Sequence, residues 1–502
     1  MISFSHNKVL VLGLGESGLS ATRWLARCGA TLRVADTRDA PDRLRQLNEL
    51  QAQSAAPIEF VSGKFSPELL DGIDMMIVSP GLSELNELVN IVPAARERNI
   101  AVWSEIELFA QSLKQLRETA QYQPKIVAIT GTNGKTTVTS LVGLLVSRAG
   151  KSVKVAGNIS PAVLDVLGLC LDEHALPDVW VLELSSFQLH STYSLHADAA
   201  TVLNISQDHL DWHGSMAAYA DDKSRIFSDQ TVQVLNRDDA MVMQMQRLTA
   251  EQITFGLSAP AMPNEFGLQS EHDMNWLCVA NAVDDDIMPA KRRTKNQPAP
   301  EIEVVVTRLM PADALKIRGR HNALNALAAL ALCRAIQLPL APLLHGLRDY
   351  QGEAHRVELI ATIGQVDYYD DSKGTNVGAT VAALNGLGDS HSKIVLIAGG
   401  VGKGQDFAPL LQPVSKYVST VVLIGQATAD IAQGLEGSGV QIIRCDQLDL
   451  AVSQAAAQAR PGDRVLLSPA CASFDMFENY AHRARVFVDA VKEVGLARGE
   501  VL

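Results

Sequence analysis

The sequence has few of the features that direct a protein into a membrane or an oxidising compartment. It contains 6 cysteines among 502 residues, scattered without a C-x-x-C pair, so neither a disulfide framework nor a cysteine-based zinc site is predicted. No stretch approaches the roughly 18 apolar residues of a membrane span, and Glu16 interrupts the apolar start VLVLGLG. A net charge of −13 argues against a nucleic acid or an anionic membrane as partner. We therefore expect a cytoplasmic protein with reduced thiols and no membrane insertion.

What the sequence does contain is a repeated alternation of short β-branched runs with helical stretches. Such alternation predicts an α/β fold with mostly parallel sheets and crossover helices. Three series of strands begin at KVLVLGLG, KIVAITG and KIVLIAGG, and the chain is long enough for three domains. We place the domains between these series, at residues 1–103, 104–351 and 352–502.

Two segments between the strands have a different character. A helical stretch around residues 104–123 is predicted to link the first two domains, and a turn at Gln351-Gly352 precedes the third. Residues 259–312 contain DDD, KRRTK and NQPAPE in quick succession. Such charged, proline-containing sequence predicts a solvated insertion in the second domain that is partly disordered.

The stretch VAITGTNGKTTVTSL, residues 127–141, combines a strand, a glycine loop and the start of a helix. The usual phosphate loop has a glycine five residues before Gly134, but Ile129 stands there. Backbone N–H groups and the positive end of a helix still converge on one spot, which suits a polyphosphate. Lys135 would add charge at the outer phosphates and Thr136 could bind Mg²⁺. The alternative is a glycine turn with an exposed lysine, but the order of residues favours a shortened nucleotide loop.

Acidic and histidine residues after two further strands suggest metal chemistry. Glu183 lies in the otherwise apolar strand VWVLELSS, where a carboxylate is costly unless it is paired or binds a metal. The segment NISQDHLDWHG adds a cluster of four such residues: Asp208, His209, Asp211 and His213. A zinc site is not indicated, because no cysteine is near. Metal ligands and satisfied polar loop residues both remain open interpretations of this cluster.

The N-terminal GLGESG, from Gly13 to Gly18, follows a strand and opens a helix, and Asp36 lies about 20 residues further on. This is the pattern of a dinucleotide-binding turn. The glycines permit close approach of a ligand but do not say which nucleotide binds. A plain tight turn between strand and helix is the alternative.

Three C-terminal segments also end strand-like runs: DDSKGTN, AGGVGKGQDF and SPACASFDMF. They bring cationic and hydroxyl side chains that suit a dicarboxylate or a phosphate, namely Lys373, Thr375, Lys403 and Ser473. Each segment alone is a weak signal, because a lysine beside a glycine is usually a surface residue.

Taken together, these stretches resemble the Mur ligases of bacterial cell-wall synthesis, from Lys8 to about residue 495. The resemblance is carried by GTNGKTT, GNIS, ELSSFQL, DHLDWH, YADDKSRIF, GRHNALNALAALAL, HRVE, DDSKGTNVGAT and SPACASFDMFENY. It implies a Rossmann-like domain for a uridine nucleotide, a central P-loop ATPase-type domain and a Rossmann-like C-terminal domain. The implied activity is ATP-dependent addition of D-glutamate to UDP-N-acetylmuramoyl-L-alanine through an acyl phosphate, in peptidoglycan precursor synthesis. The implied protein is a monomer that acts on small molecules.

The resemblance also assigns roles to individual residues. The catalytic residues it implies are Lys135, His209, Lys223 and Lys373. The ATP contacts it implies are Gly131, Thr132, Asn133, Gly134, Lys135, Thr136, Thr137, Asn322, Asn325, Arg356 and Asp371. The ligands it implies for two Mg²⁺ ions are Thr136, Glu183, His209 and Lys223, the last as a carbamate. The UDP-substrate contacts it implies are Gly15, Glu16, Ser17, Asp36, Thr37, Arg38, Ser79 and Asn158. The D-glutamate contacts it implies are Thr375, Lys403, Ser473, Phe474 and Tyr480.

Other functions remain as alternatives. A different amide ligase of the same superfamily, such as a folylpolyglutamate synthase, would share the central domain, but DDSKGTN and SPACAS favour D-glutamate. An NAD-dependent oxidoreductase built on GLGESG would leave the phosphate loop and Glu183 unexplained. A non-catalytic nucleotide-binding regulator would leave the metal-binding residues without a purpose.

Overall fold

The computed structural model describes residues 4–272, 274–282, 303–389 and 391–500. Its strands form three separate sheets of five, nine and six strands, each built from one part of the chain. Parallel pairing dominates in all three sheets, and helices connect the parallel strands. The prediction of three α/β domains with mostly parallel sheets is confirmed.

The N-terminal sheet is fully parallel and has the strand order β3-β2-β1-β4-β5. The chain moves outward from β1 in one direction and then returns to pair β4 on its other side. The carboxyl ends of β1 and β4 therefore border a crevice, the usual place for a ligand in such sheets. The elements are β1 (Lys8–Leu12), α1 (Glu16–Arg27), β2 (Thr31–Asp36), α2 (Leu44–Gln53), β3 (Ile58–Ser62), β4 (Met75–Val78), α3 (Ile91–Glu97) and β5 (Ala101–Trp103).

The predicted linker is a helix, α4 (Glu105–Ala120), that begins at the N-cap Ser104. The Ser104 hydroxyl accepts a hydrogen bond from the Glu107 N–H at 3.1 Å, which fixes the start of the helix. The apolar face of α4 is buried, and the ring of Phe109 meets that of Trp180 edge-on at 5.0 Å. The helix thus forms part of the core between the first two sheets.

The central sheet has the order β14-β13-β12-β11-β10-β9-β6-β8-β7, and it is parallel from β7 to β12. Its first strand, β6, lies between β8 and β9, so the loop after β6 opens at the centre of the sheet. The elements are β6 (Lys125–Thr130), α5 (Lys135–Arg148), β7 (Val153–Gly157), α6 (Val163–Asp172), β8 (Val179–Glu183), α7 (Ser186–His190), β9 (Ala199–Val202), α8 (Leu210–His213), α9 (Met216–Ser224), β10 (Val232–Asn236), α10 (Ala240–Met243), β11 (Gln252–Phe255), β12 (Glu265–Glu271), β13 (Met274–Ala282), β14 (Val304–Pro311), α11 (Arg320–Ala335) and α12 (Leu340–Asp349).

The expectation of a solvated, partly disordered segment at 259–312 is wrong for both of its ends. β12, β13 and β14 continue the central sheet, the last two in antiparallel pairing, and Phe266, Leu277 and Val279 are buried in the central core. In β13 the run from Leu277 to Ala280 is buried, whereas Val305 to Arg308 in β14 are exposed. The charged runs that suggested disorder lie within 283–302, outside the described residues.

The C-terminal sheet has the order β15-β16-β20-β17-β18-β19, and only β15 pairs in the antiparallel direction. The strands β16, β17 and β20 lie side by side, so the three predicted glutamate-site loops leave the sheet at one edge. The elements are β15 (Glu358–Ile363), β16 (Val366–Asp370), α13 (Val377–Leu387), β17 (Ile394–Gly399), α14 (Leu411–Tyr417), β18 (Val418–Ile424), α15 (Thr428–Gly434), β19 (Gln441–Arg444), α16 (Leu448–Gln458), β20 (Arg464–Leu467) and α17 (Tyr480–Ala497).

The structure also bears on the expected absence of membrane spans and disulfides. In the described part of the chain, no helix has the length and apolar character required to cross a membrane. The six cysteines are all free and buried, and none forms a disulfide.

Candidate active site

The glycine loop after β6 has the backbone of a phosphate-binding loop. Gly131 and Gly134 have backbone φ angles of 149° and 84°, which residues with a Cβ rarely adopt. A Cβ at Gly134 would lie 2.7 Å from Asn325 Oδ1, so α11 packs directly on the loop. Ile129 is fully buried within β6 and is part of the strand, which explains why this shortened loop has no glycine there.

Lys135 begins helix α5, and its side chain folds back across the loop. Its Nζ donates to the carbonyl oxygens of Gly131 and Thr132, both at 2.9 Å. Burial lowers the pKa of Lys135, and the positive charge of Arg356 adds to this effect. The ammonium therefore lies in the loop itself, at the position from which it could meet an incoming phosphate.

Lys223, on α9, is buried directly beneath the same loop, with only 1% of its surface exposed. Its Nζ donates to Gly131 O at 3.0 Å and to Thr130 Oγ1 at 3.4 Å, and it lies 4.6 Å from the centre of the Tyr219 ring. Burial, together with the nearby Lys135, lowers the pKa of Lys223 well below its usual value. A buried amine of this kind is easily deprotonated.

Glu183 ends β8 beside the loop, and it carries the clearest sign of a cation site. It is 2% exposed, and its Oε1 accepts a hydrogen bond from Asn158 Nδ2 at 2.9 Å. Its Oε2 is buried and has no hydrogen-bond partner among the described residues. A buried carboxylate oxygen without a partner is costly, and a bound cation would remove that cost. Thr136 lies across the loop, and its Oγ1 accepts from Arg356 at 2.6 Å.

The cluster in NISQDHLDWHG separates into two groups. His209 has a left-handed backbone with φ of 54°, and its ring meets Phe187 edge-on at 4.8 Å. Burial lowers the pKa of His209, which favours the neutral imidazole that a metal needs. His213 instead binds Ser186 at 2.9 Å and Asp222 at 3.0 Å through its two ring nitrogens. His213 is thus a satisfied polar residue, whereas the metal role of His209 stays a prediction.

The UDP-substrate contacts implied by the resemblance lie together at the crevice of the N-terminal sheet. A cavity of about 430 Å³ opens there, lined by Gly15, Glu16, Ser17, Asp36, Thr37, Arg38, Ser79 and Asn158. Burial alone would raise the pKa of Asp36, but hydrogen bonds from Arg38 and from the Leu14 N–H lower it. A carboxylate fixed in this way holds the turn after β1. Ser160 and Gln188 also line this cavity and were not predicted as contacts, although they stand in GNIS and ELSSFQL, two of the stretches that carry the resemblance.

A second cavity, of about 120 Å³, lies between the central and C-terminal domains. Its lining includes Asn133, Gly134, Thr137, Asn322, Asn325, Arg356, Asp371 and Lys373, all predicted from the sequence. Burial raises the pKa of Asp371 to about 7, although Ser468 donates to its Oδ2 at 2.7 Å. His321 lines the same cavity; its place beside Asn322 in GRHNALN was the available signal.

Side chains from two domains meet at this cavity. Asn376, the N-cap of α13, exchanges two hydrogen bonds with Asn133 of the loop at 3.2 and 3.3 Å and donates to Asp208 at 3.2 Å. Arg356 reaches Thr136 from the same side. Sequence reasoning missed Asn376, although an asparagine before a helical run is a typical helix cap.

The implied D-glutamate contacts form two groups at the edge of the C-terminal sheet. Lys373 Nζ lies 5.2 Å from the centre of the Tyr480 ring, and the N–H of Thr375 donates to Lys373 O at 2.9 Å. The loops of Lys403 and Ser473 are joined by an antiparallel bridge, Val401 to Ala472.

Within the second group, Ser473 is 3% exposed, whereas Phe474 is 72% exposed and its side chain faces solvent. Arg483, fully buried on α17, connects the groups by donating to Ser372 O and Cys471 O.

Known protein families match all three domains. Residues 7–103 match the model described as Mur ligase MurD-like, N-terminal domain; residues 129–333 match Mur ligase middle domain; and residues 355–471 match Mur ligase, glutamate ligase domain. The chain is 57% identical over 497 residues to UDP-N-acetylmuramoylalanine--D-glutamate ligase of Ralstonia nicotianae. It is 56% identical over 498 residues to the protein of the same name from Cupriavidus pinatubonensis, and each match covers 98% of both chains.

More distant solved structures share the fold. UDP-N-acetylmuramate-alanine ligase MurC from Thermotoga maritima has a TM-score of 0.54 at 19% identity, covering 97% of this chain and 100% of that one. A pseudomurein peptide ligase type C from Methanothermus fervidus has a TM-score of 0.53 at 15% identity, with the same coverage. These structures agree with the family models and the close relatives in a single conclusion: the chain belongs to the Mur ligase family.

Proposed function

We propose that the protein is an ATP-dependent ligase that adds D-glutamate to UDP-N-acetylmuramoyl-L-alanine in peptidoglycan precursor synthesis. Relatives bearing the name of that activity are 56–57% identical over almost the whole chain. The observation that carries the proposal is the position of Asn158, which lines the N-terminal cavity and donates to Glu183 beside the phosphate loop. A sugar nucleotide in that cavity can thus extend its carboxylate toward the γ-phosphate of ATP.

In the proposed reaction, a carboxylate oxygen attacks the γ-phosphorus of ATP, the bond to the bridging oxygen breaks and ADP leaves. The amine of D-glutamate then attacks the acyl carbon and loses a proton, and phosphate leaves. Lys135 and the loop N–H groups bind the phosphates and stabilise their developing charge. The acyl phosphate must be kept from water. Contacts between the central and C-terminal domains, such as that of Asn376 with Asn133, support such an exclusion of water.

The residues around Glu183 fit a divalent cation, as its partnerless buried oxygen indicates. We propose that Thr136 and Glu183 hold one Mg²⁺ and that His209 and a carbamylated Lys223 hold another. When bound, Mg²⁺ would neutralise phosphate charge and relieve the repulsion between the two anionic substrates. The protein contributes oxygen and imidazole donors from four separate segments of the central domain, namely α5, the end of β8, the start of α8 and α9.

Carbamylation of Lys223 can be tested directly by spectroscopy. A buried, neutral amine can add CO₂, whereas an exposed ammonium cannot, and the product offers oxygens to a cation. We expect protein equilibrated with carbon-13 bicarbonate to show a carbamate resonance that disappears in Lys223→Gln. Lys151→Gln, which removes an exposed lysine, is the control and should keep the resonance. A free amine at Lys223 in the fully active protein would contradict this part of the proposal.

Ser473→Ala tests the amino-acid site. Ser473 lies in the loop joined to that of Lys403, so loss of its hydroxyl removes one contact to D-glutamate. We expect the KM for D-glutamate to rise about 10-fold, the effect of one lost hydrogen bond, with little change in the KM for ATP. Steady-state kinetics with each substrate varied measures this. Ser453→Ala, on the exposed face of α16, should leave all values unchanged, and an unaltered KM in Ser473→Ala would remove this residue from the site.

The domain limits, the oligomeric state and the location of the protein are part of the same proposal. We propose domain limits at residues 1–103, 104–351 and 352–502, and a monomer that acts in the cytoplasm on small molecules. The three sheets agree with this division, because each is confined to one of the ranges. A mass measurement of the protein in solution tests the monomer.

The decisive assay is phosphate release from ATP and Mg²⁺ with UDP-N-acetylmuramoyl-L-alanine and a series of amino acids. Release with D-glutamate, but not with L-glutamate, D-alanine or L-lysine, is the expected result. Release with another amino acid would make the protein a sister ligase with the same mechanism. Without release from any of them, the proposed function would be wrong.

A further inference from the structure

A chain of hydrogen bonds runs from helix α7 of the central domain to the N-terminal domain, and the proposed reaction makes no use of it. Ser186 Oγ lies 2.9 Å from His213 Nε2, and His213 Nδ1 lies 3.0 Å from Asp222 Oδ2. The other oxygen, Asp222 Oδ1, lies 2.9 Å from His190 Nδ1, and His190 Nε2 lies 3.2 Å from Glu84 Oε1. Because a carboxylate only accepts hydrogen bonds, both ring nitrogens of His190 carry protons. His190 is therefore a cation between two carboxylates from different domains.

One part of this chain has the connectivity of a Ser-His-Asp triad, but a role as a nucleophile does not fit. Ser186 is only 2% exposed, so no substrate can reach its hydroxyl. His213 is almost as deeply buried and stacks on Phe187, with ring centres 5.5 Å apart. Groups held so rigidly serve to fix the segments they join.

Asp222 is the centre of the chain. It accepts from His213 at the end of α8 and from His190 at the end of α7, and it pairs with Arg225 at 3.3 Å. Asp222 is the direct neighbour of Lys223 on α9. A single buried carboxylate thus fixes the three helices that follow the central strands at the candidate active site.

The other end of the chain reaches the N-terminal cavity. Glu84 belongs to the loop 79–84 after β4, and Ser79 to Leu82 of this loop line the cavity. The same loop is held at two more points, because Trp212 Nε1 donates to Leu82 O at 3.2 Å and Ser83 Oγ donates to Trp212 O at 3.5 Å. One wall of the cavity therefore takes its position from the central domain.

We propose that Asp222, His190 and Glu84 are positioning residues that hold the loop 79–84 in register with the phosphate loop, and so determine how tightly the sugar nucleotide is bound. This inference rests on the proposed function. The N-terminal cavity and the phosphate loop belong to different domains, so the sugar nucleotide must span a junction. The bond from His190 to Glu84 fixes that junction between two charged groups with little exposure, 26% and 27% of their side chains. Without it the loop would be held to the central domain less firmly, by its contacts to Trp212, so the ligand would have to order it further and affinity would fall.

The test is a double-mutant cycle of Glu84→Gln and His190→Gln. Each single variant should raise the KM for UDP-N-acetylmuramoyl-L-alanine about 10-fold, and the double variant should raise it by less than the product of the two, because the contact between these two residues is lost in each. Glu84 also pairs with Arg96 at 2.7 Å and His190 with Asp222 at 2.9 Å, so the coupling in the cycle reports the shared contact alone. The KM for ATP and for D-glutamate should stay unchanged. A purely structural defect would alter all three constants together and lower the melting temperature. Glu97→Gln, an exposed acid at the end of α3, is the matched control and should behave as the natural protein does.

The outcomes separate the two proposals. If the natural protein shows no turnover with these substrates, the proposed function is wrong. If it turns over and the KM for the sugar nucleotide is unaffected in Glu84→Gln, or if the two substitutions act additively, the positioning role is overturned while the function stands. Calorimetric titration of the sugar nucleotide in the absence of ATP should reproduce the same pattern in Kd.

Discussion

Replacement of Lys135 by alanine should lower the rate of phosphate release by about 1000-fold or more, because a preorganised charge at the transferring phosphate is lost. Lys135 is the first residue of α5, and its ammonium lies in the loop, bound to Gly131 O and Thr132 O. Lys223 does not occupy that position, since it lies below the loop and is committed to Gly131 O and Thr130. The loss should appear mainly in kcat.

The fold should tolerate this change. Two hydrogen bonds of about 1 kcal/mol each are removed, but the cost of burying an ammonium is removed with them. We therefore expect a melting temperature close to that of the natural protein, measured by thermal unfolding. Lys151→Ala, which removes an exposed lysine just beyond the end of α5, is the control for the loss of a positive charge. Activity above a few per cent in Lys135→Ala would refute the assignment of this loop to ATP.

Glu183→Gln should produce opposite changes in activity and stability. The amide keeps the shape of the side chain and can still accept from Asn158, but it lacks the charge that a cation needs. We expect kcat to fall by about 100-fold or more at a given Mg²⁺ concentration, as for loss of one electrostatic contact at the reacting phosphate. Because Glu183 Oε2 is buried without a partner, removal of its charge should leave stability equal or raise it by about 1 kcal/mol.

Two measurements decide this case. Phosphate release as a function of Mg²⁺ concentration reports on the cation, and thermal unfolding reports on the buried charge. Glu173→Gln, an exposed acid after α6, should alter neither value. If Glu183→Gln kept full activity and lost stability, the carboxylate would be a structural partner of Asn158 and the metal assignment would fail.

The parts of the molecule that the sequence predicted are those whose signal is local. The strand, loop and helix around Gly134 follow one another without interruption, so their arrangement could be predicted from 15 consecutive residues. The same holds for the turn after β1. The three domains were also within reach, because parallel strands and crossover helices alternate in sequence as they do in space.

The parts that escaped prediction depend on contacts between distant residues. His209 and His213 stand in one motif, and only the structure distinguishes them, because it shows His213 hydrogen-bonded to Asp222 and Ser186. Likewise, nothing near Glu84 in the sequence announces a bond to His190, 106 residues away. In β12 and β13 the failure has another cause, since the charged and proline-containing runs that follow them in the sequence outweighed the apolar run from Trp276 to Ala280.

Asn158 has a place in two sites at once, because it lines the N-terminal cavity and donates to Glu183. A cation at Glu183 and a sugar nucleotide in the cavity, both as proposed above, would therefore act on the same amide, and their binding equilibria would be thermodynamically linked. Linkage of this kind is reciprocal, so the factor by which one ligand changes the affinity for the other is the same in both directions. A dissociation constant for either ligand consequently has meaning only at a stated concentration of the other.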